Sequence, residues 1–374
     1  WFLNKNLYPD YYAQMKGKYI SNFAGGMIDL NLQNEVVTEE ICKIAEFYTE
    51  LGISGFRLDA VKFFYTAAEY IDVQLGTEHY FAGILINKIK ARIKAINPLA
   101  FIVSEVWDSS TTVSQYYYGG DSCFNFDGQG TIISSADGNN YSQYTNKMFN
   151  IYKEIGNVKP EFIDSIFATN HDMDRIANQL NQGADLERKL RLVPEMLLTL
   201  PGNPFIYYGD ELGMRGQRVE AENIPGYGIA YDELRRLPMK FGNAYETAWI
   251  TDQGINKEIN YQIDKNEEDS LFNHYSEIIR MRKNTPALAF GNSFLKIQNK
   301  YIGGGVNGFV RSYDKAGIKQ NVLVLHNLNS SDTDINLDFS KIIYQSNGSN
   351  NTSLKGYSTI IFELTDTEVK GVLR

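Results

Sequence analysis

An α/β fold built on a parallel sheet, followed by a smaller antiparallel β domain, is predicted by three observations along this chain. Strand-like and helix-like patterns alternate between residues 39 and 208. Three apolar runs that read as buried strands end on carboxylates: Gly55-Phe56-Arg57-Leu58-Asp59, Val103-Ser104-Glu105-Val106-Trp107 and Ala168-Thr169-Asn170-His171-Asp172. After residue 290 the texture changes to short strands separated by Gly, Asn and Ser. Chemistry at the polar ends of strands is where an α/β barrel carries it.

The elements follow in order. Glu39 to Glu50 has apolar residues at Ile41, Ile44, Ala45 and Tyr48, the spacing of a helix that buries one face, with Thr38 as its N-cap. Gly52 stops it, and Ile53 to Leu58 follows as a strand. A second helix, from Tyr80 to Ile96, ends at Asn97-Pro98 and feeds a strand from Ala100 to Val106. Further strands are expected at Ser122 to Phe126, Ser165 to Thr169 and, after a helix from Glu187 to Leu200, Asn203 to Tyr208. Five β-then-α units argue for parallel strands with right-handed crossovers, but five strands do not close an eight-stranded barrel. A charged helix from Ser270 to Asn284 ends at Pro286. Strands then recur at Ser293 to Ile297, Val306 to Tyr313, Asn321 to Leu328 and Thr359 to Leu364, with Asn347 to Thr352 as a surface loop. The domain boundaries expected are 1–31, 32–290 and 291–374.

Composition narrows the classes of partner. At 374 residues, 43% hydrophobic and 22% charged, the chain has an ordinary globular balance and length for more than one core. A net charge of −9 and an isoelectric point near 5.1, with no basic stripe, disfavour nucleic acid and anionic lipid. Aromatic residues reach 13%; most fill cores, and some suit a groove that stacks sugar faces. Cys42 and Cys123 are too few and too far apart for a disulfide framework or zinc site and read as buried thiols. No apolar run is long enough for a membrane span. The chain opens at Trp1 without a leader pattern, which leaves a removed or separate signal peptide open.

Residues two apart in a strand share a face, so Arg57 and Asp59 project together while Phe56 and Leu58 pack on the other side. An arginine beside a carboxylate favours its ionised form, which can act as a nucleophile, although a lone Arg-x-Asp is more often a salt bridge. Glu105 has apolar neighbours in Val103, Val106 and Trp107, a setting that favours a proton donor. A lone Ser-Glu-Val is more often a surface acid. His171 and Asp172 could hold sugar hydroxyls, while a lone His-Asp pair is commonly a capped loop. Three such segments in this order, each at the same end of its own strand, outweigh those bland readings. An acid paired with an ionised carboxylate is what glycoside hydrolysis requires.

The segments Gly55 to Lys62, Ser104 to Trp107 and Ala168 to Asp172 closely resemble three sequence regions of the α-amylase family, glycoside hydrolase family 13. Met27-Ile28-Asp29-Leu30-Asn31 resembles the region at the end of that family's inserted domain. Phe205 to Met214 looks like its eighth strand and loop, and Arg236-Leu237-Pro238-Met239, Ser270 to Tyr275 and Arg282 to Leu288 look like the segments leading to its C-terminal domain. The resemblance implies a (β/α)8 TIM barrel, of which strands four to eight are present here, followed by an antiparallel β-sandwich. It implies Asp59 as nucleophile, Glu105 as acid and base, and Asp172 as the residue that binds the distorted sugar, helped by His171 and Arg57. The α-configuration is retained, and the Asp59 and Glu105 carboxyls should lie about 5 to 5.5 Å apart. Lys62, Phe63 and Trp107 would contact substrate. Alternation would send His171 and Asp172 to opposite faces, so their joint role requires the strand to end before them.

Three departures from that pattern stand out. The first three barrel strands and an Asp-x-x-x-Asn-His region have no counterpart before residue 27, so the missing N-terminal barrel half is expected as an uncovered or separate segment. Phe63 stands where amylases usually carry His, and Ile28 replaces a usual proline. Calcium is common in the family; its ligands would include the Phe63 carbonyl, and most others fall outside the chain. No organic cofactor is implied.

The function expected is hydrolysis of internal α-1,4 bonds in starch or malto-oligosaccharides, since Lys62 tips the choice toward amylase. The runner-up is an α-1,6-acting oligosaccharide α-glucosidase or neopullulanase-like enzyme. A non-catalytic carbohydrate-binding relative is weaker, because all three acids are present. A barrel enzyme acting on phosphorylated metabolites is also weaker, because the acidic Gly209-Asp210-Glu211 would repel phosphate. An amylase acting on starch would be secreted or on the cell surface; an oligosaccharide enzyme could be cytoplasmic.

Overall fold

The computed structural model describes residues 20–23, 27–67, 73–139, 141–224, 228–242, 254–301, 303–335, 337, 339 and 341–373. Trp1 and its surroundings lie outside them. The chain divides into two compact units: residues 1–126 with 153–165, and residues 127–152 with 166–374.

In the first unit, α1 (Glu35–Glu50) leads to β1 (Gly55–Leu58), α2 (Glu78–Ile96) to β2 (Phe101–Ser104), and α3 (Ser110–Tyr116) to β3 (Ser122–Cys123). The three strands form one parallel sheet in the order β1-β2-β3. Phe124 and Ser165 form a further parallel bridge. A glycine is required at position 55, because a Cβ there would collide with the Phe101 carbonyl of the neighbouring strand. The β2 residues Ile102, Val103 and Ser104 are buried, whereas β1 is only half-buried and Arg57 is exposed. The expectation that each acid-bearing run is a fully buried strand therefore fails for β1, which pairs on one side only, with β2, among the described residues.

Helix α1 starts earlier than its apolar spacing suggests. Its N-cap is Asn34, whose side chain accepts from the Val36 amide, while the Thr38 hydroxyl donates to the Glu35 carbonyl one turn into the helix. Its buried residues are Thr38, Cys42, Ala45 and Thr49, and Ile44 and Tyr48 are exposed. The expected face is thus rotated by the neighbour it packs on. Arg92 of α2 reaches across to Glu46 (2.5 and 2.8 Å) and Glu39 (3.0 Å), which fixes the side of α1 that meets α2. Both cysteines are free and buried.

In the second unit, Phe167 and Phe205 form a parallel bridge. Helices α4 (Phe126–Ala136) and α5 (Tyr144–Val158), neither visible in the sequence pattern, run through the unit boundaries. A short α6 (Ile176–Gln179) precedes α7 (Leu186–Thr199), and a hairpin of β4 (Glu222–Ile224) and β5 (Gly228–Ala230) follows. After the one-turn α8 (Tyr261–Asp264), α9 (Leu271–Lys283) is capped by Ser270, whose hydroxyl accepts from the Asn273 amide, and α10 is Pro286–Ala289.

The C-terminal strands are β6 (Leu295–Lys296), β7 (Val306–Lys315), β8 (Ile318–Asn327), β9 (Thr333–Asp334), β10 (Lys341–Gln345), β11 (Ser353–Leu354) and β12 (Ser358–Leu364), closed by α11 (Asp366–Leu373). Five of them form an antiparallel sheet in the order β10-β12-β8-β7-β6. Ala316 and Gly317, with φ of 54° and 77°, make the two-residue turn that matches the twist of the β7-β8 hairpin. Val310, Leu323, Leu325, Ile360 and Phe362 are fully buried in the core of this sheet. Strand β10 and helix α11 are additional to the strands read from sequence. The Asn347–Thr352 stretch does lie between two strands, β10 and β11.

Candidate active site

Asp59 and Glu105 stand one residue beyond the paired strand ends Leu58 and Ser104. The ladder continues through them: the Glu105 amide donates to the Leu58 carbonyl at 2.8 Å, and the Val61 amide donates to the Glu105 carbonyl at 3.0 Å. Ala60 turns between them in the left-handed region, at φ 48°. That turn aims its amide at the Glu105 carboxylate, 2.8 Å from Oε2. The acid is thus fixed by main-chain donors that come from the residues around the expected nucleophile. Glu105 is 8% exposed, while the Asp59 side chain is 70% exposed.

Arg57 and Asp59 do project together, with Nη1 2.6 Å from Oδ1. Beyond the turn, Lys62 pairs with Asp108 at 2.7 Å, linking the loop after Asp59 to the loop after Glu105. Burial pushes the Asp108 carboxyl up. The Lys62 ammonium, the Ser109 amide and the Thr112 hydroxyl together hold it below its ordinary value. Trp107 is 50% exposed and stacks on Phe126, ring centroids 4.9 Å apart at 16°. Phe63 packs edge-on against Phe23 at 5.4 Å. A cleft of about 410 Å³ opens beside Asp59, lined also by Leu58, Phe63 and the stretch Met27, Ile28, Asp29 and Leu30.

The strand expected over 165–169 is not formed: in the second unit that stretch keeps only the isolated bridge at Phe167, and residues 168–172 carry no strand. The Asn170 side chain accepts from the Asp172 amide at 2.9 Å, and the resulting turn brings His171 Nε2 to 3.1 Å from Asp172 Oδ2. Strand alternation no longer separates the two side chains. The Asp172 carboxylate is held by Arg236, Nη2 to Oδ1 at 2.8 Å, and the same guanidinium donates through Nε to the His171 carbonyl at 3.0 Å. Arg235 donates to the Asp172 carbonyl at 2.9 Å. Behind them Arg175 is fully buried, 4.2 and 4.6 Å from the ring centroids of Tyr207 and Tyr208. Burial drives the nearby Asp210 carboxyl well above its ordinary range.

Ala60, Asp108, Arg175, Arg235 and Arg236 were not singled out from the sequence. Ala60 and Arg236 left a trace, since Ala60 falls within Gly55 to Lys62 and Arg236 begins the segment Arg236-Leu237-Pro238-Met239. The others act through the backbone or through partners distant in sequence.

A calcium ion needs six to eight oxygen ligands. Among the described residues no group of three or more His, Cys, Asp or Glu side chains converges. The Phe63 carbonyl would be one oxygen ligand of such an ion, and no chemical step is routed through it.

The family model for the α-amylase catalytic domain matches residues 10–291. α-Amylase 3 of Dictyoglomus thermophilum is 31% identical over 376 residues, covering 96% of this chain and 68% of its own length. The α-amylase SusG of Bacteroides thetaiotaomicron is 25% identical, covering 87% of this chain and 47% of its own. Among solved structures, Amy13B of Eubacterium rectale superposes with a TM-score of 0.74 at 27% identity, over 93% of this chain and 66% of that one. The chain thus spans between about half and two thirds of the length of these relatives. More distant relatives are named oligo-1,6-glucosidase and 4-α-glucanotransferase. With its paired acids on parallel strand ends and its C-terminal β domain, the chain belongs to the α-amylase family of glycoside hydrolases, whose fold is a (β/α)8 barrel followed by that domain.

Proposed function

We propose that this protein is a retaining glycoside hydrolase that cleaves internal α-1,4 bonds of starch or malto-oligosaccharides. The observation that carries the reading is the junction of β1 and β2. There an exposed Asp59 beside Arg57 and a buried Glu105 leave adjacent parallel strand ends, one bonded to the amide that follows the other. Asp59 attacks the anomeric carbon and forms a covalent glycosyl-enzyme while Glu105 protonates the departing oxygen. Glu105 then removes a proton from water, which releases the sugar with its α-configuration retained. Asp172 holds hydroxyls of the distorted ring, with His171 and Arg57 assisting. Lys62 and Phe63 contact the leaving part of the glucan, and Trp107 offers a half-exposed ring to a sugar face.

The preference for α-1,4 bonds is supported by Lys62 and by relatives named α-amylase. An α-1,6-directed oligosaccharide enzyme is the second reading. Ile28, which replaces a usual proline and lines the cleft that Asp59 also lines, leaves the subgroup open between the two. Product analysis of the complete polypeptide separates them. Cleavage within maltoheptaose and inertness toward panose support the first; the reverse pattern defeats it.

The described strands correspond to barrel strands four to eight in this reading. Val36, Phe47, Leu51 and Ile53 are exposed on and after α1, and β1 pairs on one side only among the described residues, which supports a further β/α segment covering them. The boundaries 1–31, 32–290 and 291–374 belong to the same proposal. An α-glucan is the partner expected, and the net charge of −9 disfavours nucleic acid. Starch as substrate places the protein outside the cell or on its surface; an oligosaccharide substrate allows the cytoplasm. No helix among the described residues is long and apolar enough to cross a membrane.

A further inference from the structure

Two adjacent arginines bracket Asp172 in different ways. Arg236 holds the carboxylate itself, and its side chain is 45% exposed. Arg235 holds the main chain instead: Nη1 donates to the Asp172 carbonyl at 2.9 Å, from a side chain only 14% exposed. Its guanidinium is fixed by two more partners, Nε to Asp174 Oδ1 at 2.8 Å and Nη1 to Asp232 Oδ1 at 3.0 Å. The Arg235 carbonyl is fixed in turn, accepting from Arg175 Nε at 3.1 Å and from the Tyr207 hydroxyl at 3.2 Å.

Arg175 is held from several directions. It lies over the rings of Tyr207 and Tyr208, donates to the Tyr208 carbonyl, and its amide donates to the Gly216 carbonyl at 2.9 Å. The turn that carries Asp172 is therefore tied through Arg235 to a buried cation, whereas the carboxylate is left to exposed partners. A sugar hydroxyl can take the place of an exposed partner. It cannot easily displace a shielded bond to the main chain.

We propose that Arg235 is a positioning residue for Asp172: it sets where the carboxylate stands without occupying it, so that Asp172 meets the sugar as the transition state forms. This rests on the reading of Asp172 as the residue that stabilises the distorted sugar. An interaction that matters chiefly in the transition state shows in kcat rather than KM. Small misplacement of a catalytic group costs up to about a hundredfold in rate.

The test compares Arg235→Ala, Arg235→Lys and the control Arg218→Ala with the wild-type polypeptide, by kinetics on maltoheptaose and by hydrogen exchange of the amides at 171–174. Arg218 precedes the β4-β5 hairpin that leads to Arg235, and its side chain pairs only with exposed Glu220 at 3.5 Å among the described residues. Arg235→Ala is expected to lower kcat by about ten- to a hundredfold with KM within about twofold. It should also speed exchange at 171–174, and added guanidinium should restore part of kcat. Arg235→Lys supplies a cation that cannot bridge the Asp172 carbonyl and Asp174 as a fork does, so it carries the same comparison if Arg235→Ala does not fold. Unchanged kcat with unchanged exchange overturns the proposal, as does an equal effect from Arg218→Ala. A wild type inert on maltoheptaose sinks the α-1,4 reading instead; the kinetic comparison then moves to panose, and the exchange data still decide whether Arg235 fixes the turn.

Discussion

The two acidic clusters are built by opposite means. Around Glu105 the main chain does the holding, while Asp59 is paired with Arg57: the strand ladder runs on past Ser104, and the Ala60 amide seats the Glu105 carboxylate. Around Asp172 side chains do it, with Arg236 and His171 on the carboxylate and Arg235 on the carbonyl. Backbone donors come with the fold and tolerate changes of neighbouring side chains. Side-chain donors can be deleted one at a time. The seat of Glu105 should therefore be insensitive to neighbouring side chains, and that of Asp172 sensitive to its supporting arginines.

The largest effect tests the first cluster directly. Asp59→Asn removes the nucleophile while keeping shape, and hydrolysis should fall by about 10⁴-fold, the scale seen when a member of a covalent catalytic unit is lost. Its circular dichroism and melting temperature should stay close to those of the wild type. Retained turnover would remove Asp59 from the role of nucleophile.

Next in size comes the second cluster's dependence on side chains. Arg236→Ala deletes a charged hydrogen bond to Asp172, and kcat should fall by about ten- to a hundredfold. Steady-state kinetics on maltoheptaose read this, and a loss below threefold would mean the carboxylate holds its place without the arginine. In the first cluster Ala60→Gly provides the contrast. Glycine keeps the amide that bonds Glu105 and accepts the left-handed conformation, so kcat should change by less than about threefold. A drop as large as that of Arg236→Ala would erase the distinction between the clusters.

The smallest effect concerns pH. Asp108 titrates below its ordinary 3.8 in the fold, so the Lys62–Asp108 pair adds stability above about pH 3.8. That contribution is lost as pH falls through the depressed value. Both side chains are partly exposed, so the contribution is under about 1 kcal/mol. Melting curves of Asp108→Asn should run slightly below wild type at pH 6 and converge with it in strong acid.

Much of this was legible in the sequence where the signal was local. Alternation and strand-end polarity located β1, β2 and the Asn170-His171-Asp172 turn, and Arg57 with Asp59 share a face as their spacing demands. Long-range partners were not legible. Helix α1 turned its Cys42 and Ala45 face inward because Arg92, some fifty residues on, pairs with Glu39 and Glu46. Strand β1 kept one side unpaired among the described residues, so its buried character could not be read from its apolar run. Arg175 and Arg235 carry no motif of their own, since their role depends on carbonyls at Asp172, Tyr208 and Arg235.

The central claim is that Asp59 forms the covalent glycosyl-enzyme and Glu105 supplies the acid and base. Glu105→Gln treated with α-glucosyl fluoride tests it most directly. Fluoride departs without a proton donor, so glycosylation proceeds, while removal of the base slows hydrolysis of the intermediate. Mass mapping of the quenched protein should find one glucosyl group on the peptide carrying Asp59. A label on any other residue, or fluoride release without any label while the sugar turns over, would contradict it.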